Sequence, residues 1–485
     1  MNDPQSVFVS ETATLNDVLA VINKDGRGVA LIVDNRLLKG VVTDGDIRRA
    51  LLDKKTLDTA VSEIMITDPV TARHGSTVDE IYSVMNSQIR HVPVVDHGYN
   101  VVDLVCFYDL SKRIPWAVPY IGTEEAEEVA DSIRANWLTM GPKVRRLEEE
   151  FAEYLGVKHA IAVTNGTAAL DVALKVLGIT PDDEVIVPAF TYIATANSVL
   201  YQHAKLVLAD IEPKTFNIDP EDVERRITPQ TRCIMPIDYG GQSADYEALT
   251  FLAKKHGLYL VEDGAESLGA EYKGQKLCTF GDISTISFHA AKVITTVEGG
   301  MVLTNNDEYA RIARIIRNQG EDPANKYHHP YLGHNYRMTD LHAGIGLAQF
   351  NRLEKVLERR AEISDYYTRS LDQFKDVLTL PQVSPGNKPA WFFYPILAAN
   401  RDKIIDYLSE KGVDVRVAWP LPIHQQPLYE KIMGNVSYPV AEKIAGTVLN
   451  LPLYYEMTEQ DLLYVVTHLK DAIELSLEEQ HAMAK

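Results

Sequence analysis

The chain has 485 residues, more than one ordinary hydrophobic core organises, so two or three domains are expected. Its formal net charge of −20 excludes the basic face that a nucleic-acid partner needs, although a helix N-terminus can still bind phosphate on an acidic protein. No stretch approaches the ~18 continuous apolar residues of a membrane span, and the first residues lack the basic and apolar regions of a secretory signal. Cys106, Cys233 and Cys278 are too few and too scattered for a disulfide framework or a metal site, so the expected location is the reducing cytoplasm.

The first hundred residues carry an internal repeat. Gly28–Leu51 (GVALIVDNRLLKGVVTDGDIRRAL) and His91–Leu110 (HVPVVDHGYNVVDLVCFYDL) each show a β-branched run, a turn, a second apolar run and an Asp opening a helix. Asp34 and Asp96 are 62 residues apart, and Asp46 and Asp109 are 63 apart, so one supersecondary unit is used twice. Amphipathic spacing at Leu15–Asn23 and Thr77–Asn86 predicts a helix before each strand pair. The block resembles a tandem pair of CBS domains, modules that often bind adenosyl nucleotides. The first copy has the Thr-x-x-Asp signature at Thr43 and Asp46; the second has Cys106 and Asp103 where Thr and Gly are usual, and keeps only Asp109. The resemblance implies an adenine nucleotide held by Thr43, Asp46 and Asp109. The alternative is a docking or dimerisation module without adenosine.

Pro115 and Pro119 break regular structure and suit a linker over 114–120. Helical patterning resumes at Glu124–Leu138 and Val144–Gly156. Short apolar runs then alternate with helices: HAIAV, DEVIVP, AKLVLAD, RCIMPID, LYLVED and ISTISF. Such alternation predicts an α/β domain with a largely parallel sheet over 121–355. The tail, 356–485, reads as a smaller α+β domain, with strands at Ala390–Ala398 and Val413–Trp419 and helices at Arg401–Gly412 and Glu459–Leu477. The repeated block occupies 1–113.

Five segments can carry chemistry. In Val261–Ala270, Asp263 falls at a strand end, where ligands of open α/β sheets sit. It could hold a ring nitrogen protonated, or be a turn residue. In Asp282–Asn305, Ser287, His289 and Lys292 share one short stretch between apolar strands. Desolvation there would favour the neutral, nucleophilic form of a lysine, able to join an aldehyde; a surface charge is the plainer alternative. In Val163–Gly178 a strand runs through Asn165-Gly166-Thr167 into an Ala-rich helix, a phosphate cradle or a simple capped start. Tyr192, in Val187–Val199, could stack on a ring or be a core tyrosine. Asn335 and Arg337 precede a helix capped by Thr339 or Asp340.

In order and spacing these segments closely resemble the DegT-type (DegT/DnrJ/EryC/StrS) sugar aminotransferases. The likeness runs from about Ile121 to Leu469 through NGTAAL, EVIVPAFTYIATANS, LVEDGAESLGAEYKG, GDISTISFHAAKVITTVEGG, NYRMTDLHAGIGLAQ and LPIHQQPLY. It implies the fold-type I architecture of pyridoxal-phosphate enzymes: a mostly parallel central sheet flanked by helices, plus a small C-terminal α+β domain. It further implies that Lys292 carries the cofactor and Asp263 pairs with its ring nitrogen. Tyr192 would stack on the ring. Gly166, Thr167 and Ser287 would hold the phosphate, with Asn335 supplied by a second subunit. His289 and Glu266 would line the site, and Arg337 and His424 would lie toward the sugar. The implied reaction moves an amino group from L-glutamate to a nucleotide-diphospho-keto-sugar, a 4-keto-6-deoxy sugar by the ITT-EGG stretch, in a homodimer or larger assembly. Glu266 stands where Gln or His is commoner, Gly264 for Ala, Val297 for Gly and Asp238 for His. A related branch has His in place of the lysine and dehydrates its sugar, so Lys292 argues for transamination. A dehydratase or other lyase, and a non-catalytic sensor built on the same fold, remain the alternatives.

Overall fold

The protein is described by a computed structural model covering residues 4–76, 80–81, 84–85, 89–106 and 113–483; most of the helix expected at 77–86, and Asp109, lie outside the described residues. The chain divides into two compact units, 1–113 and 114–485. Among the described residues no helix is long and apolar enough to cross a membrane.

In the first unit, two threonines start two helices in the same way. Thr14 and Thr43 accept from the N–H three residues on, and Asp17 and Asp46 bond back to the threonine N–H. These reciprocal caps open the helices Leu15–Asp25 and Asp44–Leu52. The repeat is visible in the strands. β1 (Phe8–Ser10), β2 (Val29–Asp34) and β3 (Leu37–Thr43) form one sheet; β4 (Ala72–Arg73), β5 (His91–Val95) and β6 (Val101–Cys106) form another. Each sheet has one parallel pair and one antiparallel pair, and each antiparallel pair shifts register at the matching place, Ile32/Val33 and Val94/Val95. The two copies join through Leu38 N–H to Tyr99 O (3.1 Å) and Val101 N–H to Arg36 O (2.9 Å). Val29, Leu31 and Val41 share a core with Val95, Val101 and Leu104.

The second unit is built on seven strands: β7 (His159–Val163), β8 (Glu184–Pro188), β9 (Lys205–Ala209), β10 (Thr231–Ile234), β11 (Tyr259–Asp263), β14 (Ile283–Ser287) and β15 (Gly300–Thr304), with the small hairpin β12 (Glu271–Tyr272) and β13 (Gln275–Lys276) between β11 and β14. Their order is β7-β15-β14-β11-β10-β8-β9, and only β15 runs against its neighbours. The six apolar runs of the sequence are thus six of the strands. They read as continuous apolar runs because helices cover both faces of such a sheet. The carboxyl ends of β7, β8, β11 and β14 lie on one side and carry the loops that hold the candidate residues.

A smaller sheet follows, β16 (Leu378–Thr379), β17 (Pro395–Ala398) and β18 (Val448–Asn450), all antiparallel. The strand expected at Val413–Trp419 does not form. Val413 and Arg416 make single bridges only, and Trp419 turns into the left-handed region at φ 47°. The strand expected from Ala390 starts only at Pro395, after Trp391 at φ 51°. The Pro-flanked segment at 114–120 begins inside this unit: Ile114 is buried and exchanges hydrogen bonds with Gly412 and Asp414. One helix that the apolar pattern did not mark, Leu353–Leu371, spans two cores. Leu353, Val356 and Leu357 pack with the large sheet; Ile363, Tyr367 and Leu371 pack with the small one.

β15 is pressed against the turn that opens the helix Gly166–Val176. A Cβ built on Gly300 would stand 2.5 Å from the Asn165 carbonyl carbon and oxygen, all rigid backbone. Gly300→Ala is therefore expected to cost about 1–3 kcal/mol of stability, read as a lower denaturant midpoint, by forcing that turn off the sheet.

Candidate active site

Four loops at the carboxyl ends of the strands make the site. After β7, Asn165 caps the helix Gly166–Val176, its Oδ1 accepting from Ala168 N–H at 2.8 Å. The first N–H groups of that helix have no partner within it, and the positive end of the helix dipole lies at this turn. Ser287, the last residue of β14, closes on this turn: a Cβ on Gly166 would meet Ser287 Cβ at 2.8 Å and Oγ at 3.1 Å. Gly166, Thr167 and Ser287 are thus brought together as a small cradle of N–H and hydroxyl donors.

After β8, Tyr192 stands at the N-cap of the helix Ile193–Tyr201 and is 57% exposed, unusual for a tyrosine in so buried a stretch. One turn along, Thr195 donates its hydroxyl to Asp263 Oδ2 at 2.8 Å, and Ala265 N–H donates to Oδ1 at 3.2 Å. Asp263 ends β11 and is 2% exposed. Burial pushes its carboxyl up, while the Thr195 and Ala265 bonds and the Lys292 charge pull it down; the net is upward. Thr195 escaped the sequence reading, although its place one helical turn from Tyr192 was a usable signal.

Lys292 lies on the loop between β14 and β15. Phe288 N–H to Gly299 O (2.8 Å) and Thr296 N–H to Phe288 O (3.0 Å) pin the ends of that loop, and Lys292 N–H bonds His289 O at 2.9 Å. Its Nζ is 3.5 Å from Glu266 Oε1 and 4.2 Å from the Phe392 ring centroid. Glu266 is buried, and its Oε2 accepts from Gly240 N–H at 2.9 Å. His289 is exposed, its Nδ1 accepting from Ala291 N–H. Val297, on the same loop, has φ 72° with a β-branched side chain, a strained backbone in the position where the resembled family has Gly.

The remaining expected residues lie further out. The stretch Asn335–Arg337 runs beside the end of β7, with Tyr336 O accepting from Thr164 N–H at 2.8 Å. Asn335 faces outward, and Arg337 Nη1 donates to Asn318 Oδ1 at 2.8 Å. His424 is enclosed: its Nε2 is 2.9 Å from Glu442 Oε1, and its ring is almost fully buried.

Behind Glu266 lie two more buried carboxylates. Asp238 accepts from Ala244 N–H, from the Tyr246 hydroxyl and from Ser267 Oγ at 2.8 Å. Glu262 accepts from Cys278 N–H, Phe280 N–H and Ser284 Oγ. Among the described residues neither pairs with a cation. Burial, and for Asp238 the Glu262 charge, pushes both upward. Cys106, Cys233 and Cys278 are buried and form no disulfide among the described residues.

Residues 119–470 match the DegT/DnrJ/EryC1/StrS aminotransferase family, and residues 1–53 and 61–115 match the CBS domain. The GDP-perosamine synthase of Caulobacter vibrioides is 39% identical over 367 residues, covering 74% of this chain and 98% of that protein. The spore coat polysaccharide biosynthesis protein SpsC of Bacillus subtilis is 35% identical over 381 residues, 74% of this chain and 97% of that one. Among solved structures, S. venezuelae DesV superposes with a TM-score of 0.70 at 32% identity, covering 74% of this chain and 98% of DesV. The PLP form of Spr1654 from Streptococcus pneumoniae gives 0.71 at 28% identity, over 75% and 99%.

The chain belongs to the DegT/DnrJ/EryC1/StrS aminotransferase family, with the fold-type I architecture. It is a pyridoxal-phosphate-dependent sugar aminotransferase, preceded by a pair of CBS domains.

The buried carboxylates give a pH signature. A carboxyl raised in the folded state binds its proton more tightly there than in the unfolded chain. Its contribution to stability is complete below the ordinary range near pH ~4 and is lost as pH rises through the folded value. The thermal midpoint of the cofactor-free protein should therefore fall as pH rises above the ordinary carboxylate range, and Asp238→Asn should flatten that slope. Equal slopes in the two proteins would contradict the assignment.

Proposed function

We propose that the protein transfers the amino group of L-glutamate to the keto group of a nucleoside-diphosphate sugar, a 4-keto-6-deoxy sugar, with Lys292 as the acid–base residue. The observation that carries the reading is Lys292 Nζ, placed by the β14–β15 loop beside two buried carboxylates, Glu266 at 3.5 Å and Asp263 at the end of β11. The residues fit the family's cofactor: the Gly166–Ser287 cradle has the donors and the missing Cβ that a phosphate requires.

When bound, pyridoxal phosphate supplies an aldehyde for an amine and an electron-withdrawing ring. Lys292 would hold the aldehyde carbon. Gly166, Thr167 and Ser287 would hold the phosphate with N–H and hydroxyl donors. Asp263, fixed by Thr195, would face the ring nitrogen and keep it protonated. Tyr192, already exposed at its helix start, would cover the ring. His289 would line the entrance. Once displaced by the amino donor, the Lys292 amine would take a proton from the substrate carbon and return one to the cofactor side. Asn335 faces outward and would serve the site of a second copy of this chain. The relatives named GDP-perosamine synthase in Caulobacter vibrioides, Vibrio cholerae and Escherichia coli favour a GDP-linked acceptor.

The CBS pair would bind an adenine nucleotide and adjust turnover. Asp46 Oδ2 is engaged by Thr43, and Oδ1 by Arg49 Nη2 at 2.5 Å. Arg49 is 69% exposed, so a ribose can take its place at little cost.

The purified protein should show a visible absorption band that bleaches on adding L-glutamate. Lys292→Ala should lose the band and all measurable turnover. A band indifferent to glutamate would remove glutamate as donor, and turnover in the alanine variant would remove the scheme. Titration of the full chain with AMP, ADP and ATP should give heat and a change in rate; neither would end the regulatory reading.

A further inference from the structure

The loop that carries Lys292 is met by two groups from distant parts of the chain. Glu266 comes from the turn after β11. Phe392 comes from the stretch before β17, on the other side of the long helix Leu353–Leu371. Both are buried, at 4% and 5% exposure. They have a common support in the turn Tyr239–Gly241. Gly240 N–H donates to Glu266 Oε2 at 2.9 Å, Gly240 O accepts from Phe393 N–H at 3.3 Å, and Gly241 O accepts from Ala390 N–H at 3.0 Å. Gly241, at φ 84°, has no room for a side chain: a Cβ would lie 2.9 Å from Glu266 O and 3.1 Å from Trp391 N. The far side of the aromatic stretch is fixed by Arg360, a buried guanidinium that donates to Trp391 O at 2.9 Å.

We propose that Glu266 and the Phe392 ring are positioning residues for Lys292, a carboxylate and an aromatic face that together hold its side chain as an ammonium in the cofactor-free protein. The inference rests on the reading of Lys292 as the cofactor's lysine. It adds how that lysine is kept at the site before the cofactor joins it. A long, flexible cation released into a wide site would lose rotamer order and drift toward water. An anion at 3.5 Å and a ring face at 4.2 Å keep it in place, each by attraction to positive charge. A Gln at position 266 would keep the hydrogen-bonding shape and lose the charge, so the Glu in this chain is the feature that makes the holder cation-selective. The other titratable groups facing the pair are Asp263, at the end of β11, and the Tyr239 hydroxyl of the glycine turn. Burial pushes the Glu266 carboxyl upward overall, while the Lys292 charge and the Gly240 N–H pull it down.

The test uses the full chain with its cofactor removed and an amine-selective acylating reagent at mildly alkaline pH. The labelling rate of Lys292 is read by peptide mass spectrometry and normalised to the other lysines of the same sample. Only the neutral amine reacts, so removing a group that favours the ammonium should speed labelling. Glu266→Gln should accelerate Lys292 about tenfold. Phe392→Leu should accelerate it about threefold, and Phe392→Tyr should restore the wild-type rate. Wild-type rates at Lys292 in both E266Q and F392L, or a general acceleration with no selective change at Lys292, would overturn the proposal. Protection of Lys292 by added pyridoxal phosphate checks the underlying reading separately, because the rate comparison is made without cofactor.

Discussion

Four carboxylates withdrawn from water at one end of a parallel sheet set the terms for this site. Asp238, Glu262, Asp263 and Glu266 are each at most 4% exposed. Charge in such surroundings is costly unless donors converge on it. The surrounding loops are arranged to supply them: Ala244 N–H, Tyr246 and Ser267 for Asp238; Cys278 N–H, Phe280 N–H and Ser284 for Glu262; Thr195 and Ala265 N–H for Asp263; Gly240 N–H for Glu266. Three neighbouring strand ends and the turns after them are thereby tied together by polar bonds. Lys292 is the only cation within reach of this cluster among the described residues. The site holds a surplus of buried acid, which a protonated ring nitrogen and a lysine would partly balance.

Much of this was legible in the sequence, for identifiable reasons. Strands of a sheet covered on both faces are unbroken apolar runs, so HAIAV, EVIVP and ISTIS announced themselves. Asp263, Ser287 and the Asn165–Thr167 turn could be placed because each directly follows such a run. Contacts made across long stretches of chain were not legible. Phe392 reads as one aromatic among four in a row, and nothing local says that its ring faces Lys292. Gly240 and Gly241 read as a loop, whereas their backbone joins Glu266 to the aromatic stretch. The strand forecast at Val413–Trp419 failed for a related reason. Its β-branched residues satisfy propensity, but their bonds go singly to Ile114 and Asn450 instead of to one neighbouring strand.

In the N-terminal unit one motif has two possible employments. Thr43 and Asp46 were singled out for a nucleotide, yet the same Thr-x-x-Asp spacing at Thr14 and Asp17 also starts a helix. The local role accounts for Thr43 Oγ and one oxygen of Asp46. What distinguishes Asp46 is its second oxygen, occupied by a side chain that stands mostly in solvent. A signature of this kind therefore identifies the module more firmly than it identifies a ligand.

The helix Leu353–Leu371 bears on how the protein can be taken apart. Its first turns belong to the core under the large sheet and its last turns to the core under the small one, with no break between. A helix that is hydrogen-bonded throughout transmits torque, so loosening either core is felt at once by the other. A graft of the C-terminal region from a relative would have to bring the whole rod with it. A junction cut at its middle would strand half of an apolar stripe on each side of the seam.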